Sequence, residues 1–109
     1  MEFYLKARAF LDKNFETLQT AEAAAGNLGV KPETLCRVFQ RFGNTTPYQH
    51  LLRLKINRAV DLLLGTELLA KEVGYRLGFT DPFHFSRVFK RLQGVSPDHF
   101  RRLRGRAPK

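Results

Sequence analysis

The sequence predicts an all-α protein of about seven helices, in which two helix–turn–helix units are joined by a long connector helix. Apolar residues recur at helical spacing along most of the chain, and turns that contain glycine separate the helical stretches. In addition, residues 32–47 and 82–97 are identical at six of sixteen aligned positions, which indicates an internal duplication of a small helical unit. The predicted boundaries are 1–45 for the first lobe, 46–64 for the connector, 65–105 for the second lobe and 106–109 for a tail.

Three helices are predicted in the first unit, at residues 2–15, 21–27 and 32–42. Thr20 is a suitable N-cap for the second of them, and Gly29 supplies the following turn, where we expect a positive φ. The second and third helices, with the turn between them, form the helix–turn–helix pattern. The core positions predicted from helical spacing are Phe3, Ala7, Phe10, Leu11, Phe15, Leu35, Val38, Phe39 and Phe42.

The connector helix is predicted over residues 47–64, with Thr46 as its N-cap and Pro47 in its first turn. Its length is roughly 27 Å at the helical rise of about 1.5 Å per residue. Apolar residues cover an arc wider than the ~100° stripe of a surface helix, so we expect packing from two directions. Lys55 and Arg58 interrupt this arc, and the pattern leaves open whether they reach solvent or pair with a carboxylate.

The second unit repeats the pattern, with a helix near residues 68–77, a glycine-containing turn and a helix at 81–92. Asp81 followed by Pro82 is a helix-start signature, because the carboxylate can cap free N–H groups and proline fits the first helical position. A last short helix is expected after Ser96, followed by a basic tail that we expect to be mobile. The core positions predicted here are Phe85, Val88, Phe89, Leu92, Phe100 and Leu103.

The charge balance indicates the class of partner. The chain has 19 Lys and Arg against 10 Asp and Glu, a formal net charge of +9. Such an excess favours a polyanion, either nucleic acid or an anionic membrane surface, although a basic protein without such a partner can have the same composition. No apolar run approaches the ~18 residues of a membrane span, and the N-terminus has no secretory cleavage site. The single cysteine, Cys36, excludes an internal disulfide, and we expect a reducing, cytoplasmic location.

The motifs of catalysis and metal binding are not found in this sequence. It has no glycine-rich phosphate loop, no pair of histidines on one helix face, and no nucleophile with an obvious base. The histidines, His50, His84 and His99, are scattered. Cys36 and His50 could be drawn as a metal pair, but two ligands do not make a zinc site. We therefore expect neither enzymatic activity nor a metal or cofactor.

The third helix and the helix at 81–92 fit the role of recognition helices. Such a helix places its first residues against base edges in the major groove and its flanking cations against phosphates. Arginine can bind guanine through two hydrogen bonds, glutamate can accept from cytosine N4, and an aromatic ring can contact a thymine methyl group. The candidate base-contacting residues are Glu33, Cys36, Arg37, Pro82, Phe83, Ser86 and Arg87. The candidate phosphate-contacting residues are Lys31, Thr34, Gln40, Arg41, His84, Lys90 and Arg91.

These assignments have simpler alternatives. The Phe83 ring could cover a neighbouring loop or meet another domain, Glu33 could act only on the helix dipole, and the basic residues could form a solvated face. If both recognition helices enter successive major grooves, they must lie about 34 Å apart. A connector of roughly 27 Å, together with the lobes, can reach this distance, and otherwise the DNA must bend.

A longer pattern runs through the chain, at Ala24, Ala25, Gly29, Leu35, Arg37, Phe39, Leu51, Leu54, Lys55, Ala59, Leu62, Leu63, Val73, Gly74, Gly78, Phe79, Thr80, Asp81, Phe85, Ser86, Arg87, Phe89, Lys90, Gly94, Ser96, Pro97, Phe100 and Arg101. This pattern resembles the signature of the AraC/XylS family of bacterial transcription regulators. The resemblance implies a seven-helix, homeodomain-like tandem of two helix–turn–helix units. It also implies sequence-specific binding of double-stranded operator DNA and, most often, activation of transcription through contacts with RNA polymerase.

Four residues depart from the family pattern. Gly74, in the second unit, stands where the family usually has alanine. Ala24 stands where the family has a larger aliphatic residue, so the first unit buries less apolar area. Lys31 replaces a serine-type cap and Asn44 replaces glycine, so the resemblance implies weaker base contact by the first unit than by the second. The family usually couples this domain to an effector-binding or dimerisation domain. The chain is then either a free-standing short regulator or the C-terminal part of a longer protein, and we expect the second.

Two other function classes stay open at this point. A general nucleic-acid-binding basic protein, for example one that binds RNA, would need many exposed aromatics for stacking, whereas most phenylalanines here fall on core stripes. A protein-interaction module would dock on polymerase or another protein without contacting bases. The sequence leaves open the operator, the effector, the sign of regulation and the regulated genes.

Overall fold

A computed structural model describes residues 1–105, and the predicted tail at 106–109 lies outside this range. The described residues form seven α-helices and a short π-helical segment, which confirms the predicted all-α class. The helices are α1 (Glu2–Asn14), α2 (Ala21–Leu28), α3 (Pro32–Gly43), α4 (Pro47–Gly65), α5 (Ala70–Arg76), α6 (Pro82–Gln93) and α7 (Pro97–Phe100), and the π-helical segment is Arg101–Gly105. None of the described helices is long and apolar enough to cross a membrane.

The chain divides into two compact units, Met1–Leu54 (unit 1) and Lys55–Lys109 (unit 2). The division falls inside α4, so the first turns of this helix belong to unit 1 and its remainder belongs to unit 2. Each unit holds one helix–turn–helix pair, α2 with α3 in unit 1 and α5 with α6 in unit 2. The finer division into two lobes and a separate connector stays a prediction.

The core of unit 1 forms where α1, α2 and α3 meet. Leu35 and Phe39 of α3 are fully buried, and the Tyr4 ring of α1 lies edge-on to Phe39 with 5.2 Å between ring centroids. The prediction that Phe42 is a core residue is wrong, because this ring is 37% exposed and packs sideways against Tyr4. The Arg41 guanidinium covers the Phe42 ring at 5.4 Å. The aromatic ring buried next to Phe39 is therefore that of Tyr4 and not that of Phe42.

A row of aromatic rings forms the core of unit 2. Phe85 of α6 contacts Phe79 and Phe89 at centroid distances of 5.2 and 5.9 Å, and Phe89 contacts Phe100 of α7 at 5.5 Å. Phe100 is buried as predicted, but the inward position predicted for Leu103 is wrong, since its side chain is 62% exposed. The backbone turns π-helical after Phe100, and this wider turn changes the angular spacing that placed Leu103 below Phe100.

Most of the predicted helix boundaries are confirmed, because local capping sets them. The Thr20 and Thr46 hydroxyls accept hydrogen bonds from the Ala23 and Gln49 N–H groups, each at 3.0 Å. Gly29 ends α2 with the predicted positive φ, +74°, and Asn44 ends α3 in the same left-handed region at +57°. The helix predicted from residue 68 begins only at Ala70.

Lys55 is a buried cation in unit 2. Its side chain is only 4% exposed, and the ammonium lies 5.6 Å from the centroid of the Phe79 ring. Burial lowers the pKa of the Lys55 ammonium below its ordinary value of 10.5, because desolvation disfavours the charged form. The sequence left open whether Lys55 reaches solvent or pairs with a carboxylate. In the structure its ammonium lies against an aromatic face instead.

Candidate nucleic-acid interface

The candidate residues of unit 1 lie on the side of α3 opposite its core contacts. Leu35 and Phe39 are buried and Val38 packs against the same core, so Arg37 lies on the opposite side of the helix. Glu33, Arg37 and the other long polar candidates are exposed, whereas Cys36 and Thr34 are half-buried. The exposed candidates in this unit are Lys31, Glu33, Arg37, Gln40 and Arg41.

An open groove lies at the first turns of α2, α3 and α4. It has a volume of about 290 Å³. Two predicted base-contacting residues, Glu33 and Cys36, line it, so the structure brings these two side chains to one surface. Glu22 of α2 and Tyr48 of α4 line the same groove and were not among the sequence candidates. Their positions depend on how three helices meet, and no motif in the sequence carries that information.

The candidate residues of unit 2 form one exposed face of α6. Phe83 is 74% exposed, the largest exposed fraction among the large apolar side chains of the described chain. Arg87, Lys90 and Arg91 are exposed on the same helix, while Pro82, His84 and Ser86 are half-buried. The inner side of α6 buries Phe85, Val88 and Phe89 completely or nearly so. The aromatic core therefore fixes α6 while leaving a basic face with one bare aromatic ring.

The start of α6 is held by its cap. The Asp81 carboxylate accepts a hydrogen bond from the Phe83 backbone N–H at 2.9 Å, so the cap fixes the backbone of the residue that carries the exposed ring. The His84 ring packs edge-on against Phe79 with 5.5 Å between centroids. His84 therefore has a structural contact in addition to its predicted role at phosphate. The start of α3 differs, because its N-cap residue, Lys31, makes no side-chain capping hydrogen bond among the described residues.

The two units differ strongly in charge. Unit 1 has seven Lys and Arg against five Asp and Glu, whereas unit 2 has twelve against five. The first turn of α3 contains Glu33, whereas the described first turn of α6 contains no acidic residue beyond the Asp81 cap. Most of the positive charge that can attract a polyanion therefore belongs to unit 2.

The described residues offer little support for other kinds of site. No group of three His, Cys, Asp or Glu within residues 1–105 could hold a metal ion. A second open groove, of about 370 Å³, follows the end of α1 along Lys13–Thr17, a single stretch of chain with no converging reactive groups.

Comparison with known proteins connects this geometry to a family. The family model described as a helix-turn-helix domain, of the AraC type, matches residues 24–103. The chain belongs to this family. The AraC-type family consists of DNA-binding domains of transcriptional regulators, and its members are not enzymes. The family resemblance predicted from the sequence is thereby confirmed.

Two similar proteins illustrate the match. The transcriptional activator RhaS of Escherichia coli O1:K1 is 32% identical over 96 residues, covering 88% of this chain and 34% of RhaS. The C-terminal domain of AraT, a response regulator from Geobacillus stearothermophilus, superposes with a TM-score of 0.87 at 32% identity, covering 95% of this chain and 87% of that domain. This AraC-type chain spans about a third of the length of the curated relatives it matches.

A third similarity concerns the fold alone. The DNA-binding domain of AdpA, a global transcriptional factor solved in complex with a target DNA, has a TM-score of 0.79 at 23% identity. The match covers 95% of this AraC-type chain and 97% of that domain. The tandem helix–turn–helix architecture is therefore shared well beyond recognisable side-chain identity.

Proposed function

We propose that this AraC-type domain binds double-stranded DNA sequence-specifically, with α3 and α6 inserted in successive major grooves, and thereby regulates transcription. The observation that carries the proposal is the exposed face of α6, where Phe83 and Arg87 project from a helix that an aromatic core holds in place. A rigid helix with a bare aromatic and an arginine near its start can contact a thymine methyl group and a guanine. The Phe83 ring is 74% exposed and is therefore accessible for such a contact.

The residues divide into two roles in this proposal. Those near the helix starts contact bases, because the N-terminal residues of a recognition helix reach deepest into the groove. Cations farther along each helix contact phosphates. The proposed base-contacting residues are Glu33, Cys36, Arg37, Pro82, Phe83, Ser86 and Arg87. The proposed phosphate-contacting residues are Lys31, Thr34, Gln40, Arg41, His84, Lys90 and Arg91.

Two further partners are part of the proposal. We infer that the bound protein activates transcription through contact with RNA polymerase, since the similar protein RhaS is a transcriptional activator. We also infer that the domain works within a longer protein that carries an effector-binding or dimerisation domain. The support for this second inference is that the curated relatives are about three times as long as the chain.

Selection from a randomised duplex library at near-physiological salt tests the function directly. We expect two short motifs whose centres lie about ten base pairs apart, one helical turn of DNA. Recovery of one motif alone would show that only one unit contacts bases. Binding that falls steeply with salt but selects no motif would refute sequence-specific recognition and leave a non-specific binder of polyanions.

Arg87→Ala then separates base contact from phosphate contact. Loss of discrimination at a single base pair, by about 1–3 kcal/mol, is the expected result for an arginine that binds guanine. Uniform weakening on all sequences, with a salt slope smaller by about 0.9, would assign Arg87 to a phosphate instead. Arg37→Ala is expected to have a smaller effect. Arg8→Ala serves as a control that removes the same charge from α1, which is not one of the two recognition helices.

A further inference from the structure

The first unit places negative charge where the proposed DNA contact begins. Glu22 and Glu33 come from the first turns of two different helices, and both line the open groove that Cys36 also lines. Both carboxylates belong to exposed residues, so each is free to act on charges outside the protein. Unit 1 as a whole carries only two positive charges in excess, compared with seven in unit 2.

Carboxylates at this position oppose indiscriminate binding. A DNA backbone beside the first turn of α3 brings phosphates near Glu22 and Glu33, and like charges at such distances repel. The same glutamate becomes favourable when its oxygen accepts a hydrogen bond from cytosine N4, because that base edge is a donor. Glu33 therefore lowers the affinity for most sequences and recovers it on one base pair, which is how a repulsive element produces specificity.

We propose that Glu22 and Glu33 make unit 1 a specificity filter, while the basic unit 2 supplies most of the affinity for DNA. This inference rests on the proposed function, since it assigns separate duties to the two halves of the same interface. Glu33 acts as a specificity-determining residue through base contact and repulsion, and Glu22 acts through repulsion alone. Unit 2 also has a carboxylate at the start of its recognition helix, that of Asp81. This carboxylate differs from those of Glu22 and Glu33 because it caps α6 by accepting a hydrogen bond from the Phe83 N–H.

The test measures binding of the whole chain to three duplexes of equal length. They are the selected operator, the same operator with its unit 1 motif replaced, and a scrambled sequence. The variants are Glu33→Gln, Glu33→Asp and Glu22→Gln, with Glu2→Gln on α1 as the matched control for loss of one exposed carboxylate. Because all three glutamates are exposed, glutamine leaves the packing of the unit unchanged.

The expected results differ between the variants. Glu33→Gln and Glu22→Gln each raise the affinity for the scrambled duplex roughly fivefold, the factor expected when one repulsive pair about 4 Å apart in water is removed. Glu33→Gln also reduces the preference for the unit 1 motif by about tenfold, within the range of a single base contact. Glu33→Asp keeps the repulsion but shortens the side chain, so it loses the motif preference without gaining affinity for the scrambled duplex. Glu22→Gln keeps the motif preference.

Failure of the filter and failure of the proposed function give different results. If Glu33→Gln and Glu22→Gln bind all three duplexes as Glu2→Gln does, the filter is overturned while the wild-type preference for the operator still stands. If the wild-type chain binds the operator and the scrambled duplex equally, the proposed function itself is overturned, and the filter with it. A loss of preference at the unit 2 motif in Glu33→Gln would also contradict the assignment of separate duties.

Discussion

Replacing Arg101 by alanine tests how the end of α4 is held in unit 2. The last carbonyl groups of a helix have no partner within the helix, and α4 ends at Gly65. The Arg101 Nε–H donates to the Leu63 carbonyl at 3.1 Å, and its Nη2–H donates to the Thr66 carbonyl at 3.2 Å. Alanine removes both donors and leaves the part-buried Leu63 carbonyl without its side-chain partner.

The two hydrogen bonds set the expected loss of stability. A hydrogen bond from a charged donor to a part-buried acceptor contributes about 1.5–3 kcal/mol. The bond to Thr66 is exposed, so we assign it only about 0.5 kcal/mol, the low end for an ordinary hydrogen bond. Arg101→Ala should therefore lower the free energy of unfolding by about 2–3.5 kcal/mol. For a small domain this corresponds to a melting temperature lower by roughly 8–28 °C.

Urea unfolding followed by far-ultraviolet circular dichroism measures the change. Hydrogen exchange at residues 63–66 then locates it, since faster exchange is expected at the end of α4. Arg102→Ala is the matched control, because Arg102 is exposed on the same π-helical segment and carries the same charge. If the two variants unfold with free energies that agree within about 0.5 kcal/mol, the capping argument for Arg101 is refuted.

Three further predictions concern unit 2. Gly74→Ala should lower the free energy of unfolding in urea by about 1 kcal/mol, because the new Cβ would lie 2.9 Å from Phe85 ring atoms. This clash outweighs the better helix propensity of alanine. A more stable variant would contradict the prediction. Asp81→Ala should lower the free energy of unfolding by about 1 kcal/mol in thermal unfolding, because the Phe83 N–H loses its capping acceptor. Asp81→Asn should keep most of the wild-type stability, because asparagine also caps helices. Because the pKa of Lys55 is lowered in the folded protein, the unfolded chain binds more protons, and the free energy of unfolding should rise as the pH increases towards 10.5. Lys55→Met should remove this pH dependence when unfolding is measured across that range. A variant with the same pH profile as the wild type would contradict the assignment to Lys55.

Local chemistry explains why the helix boundaries were predictable. A cap such as Thr20 or Thr46 needs only the N–H group three residues ahead, so the sequence alone specifies it. The start of α5 was missed by two residues because the Leu68 N–H donates to the Thr66 hydroxyl and the Leu69 N–H donates to the Glu72 carboxylate. These side-chain acceptors replace the helical pattern at a position where apolar spacing suggested a longer helix.

The errors in the core arose where another helix decides which side chain is buried. The predicted stripe of α1 does not include Tyr4, yet its ring is buried against Phe39, whereas Phe42 stays partly exposed beside it. The sequence pattern assigned no contact within the protein to Arg101, although its guanidinium donates to two carbonyl groups 35 or more positions away in sequence. Periodicity within one helix contains no information about such contacts between distant segments.

The duplication itself bears on which exposed residues contact DNA. Packing explains why Phe39 and Phe89 are the same residue in both copies, since each is fully buried at the centre of its own unit. It does not explain why Arg37 equals Arg87, because both side chains are exposed and an exposed position tolerates many residues. A shared external partner is the physical reason that remains, and an arginine one turn into a recognition helix suits a DNA base or phosphate. By the same reasoning Glu33 and Phe83, which occupy equivalent positions but differ in charge, are where the two units should contact different base pairs.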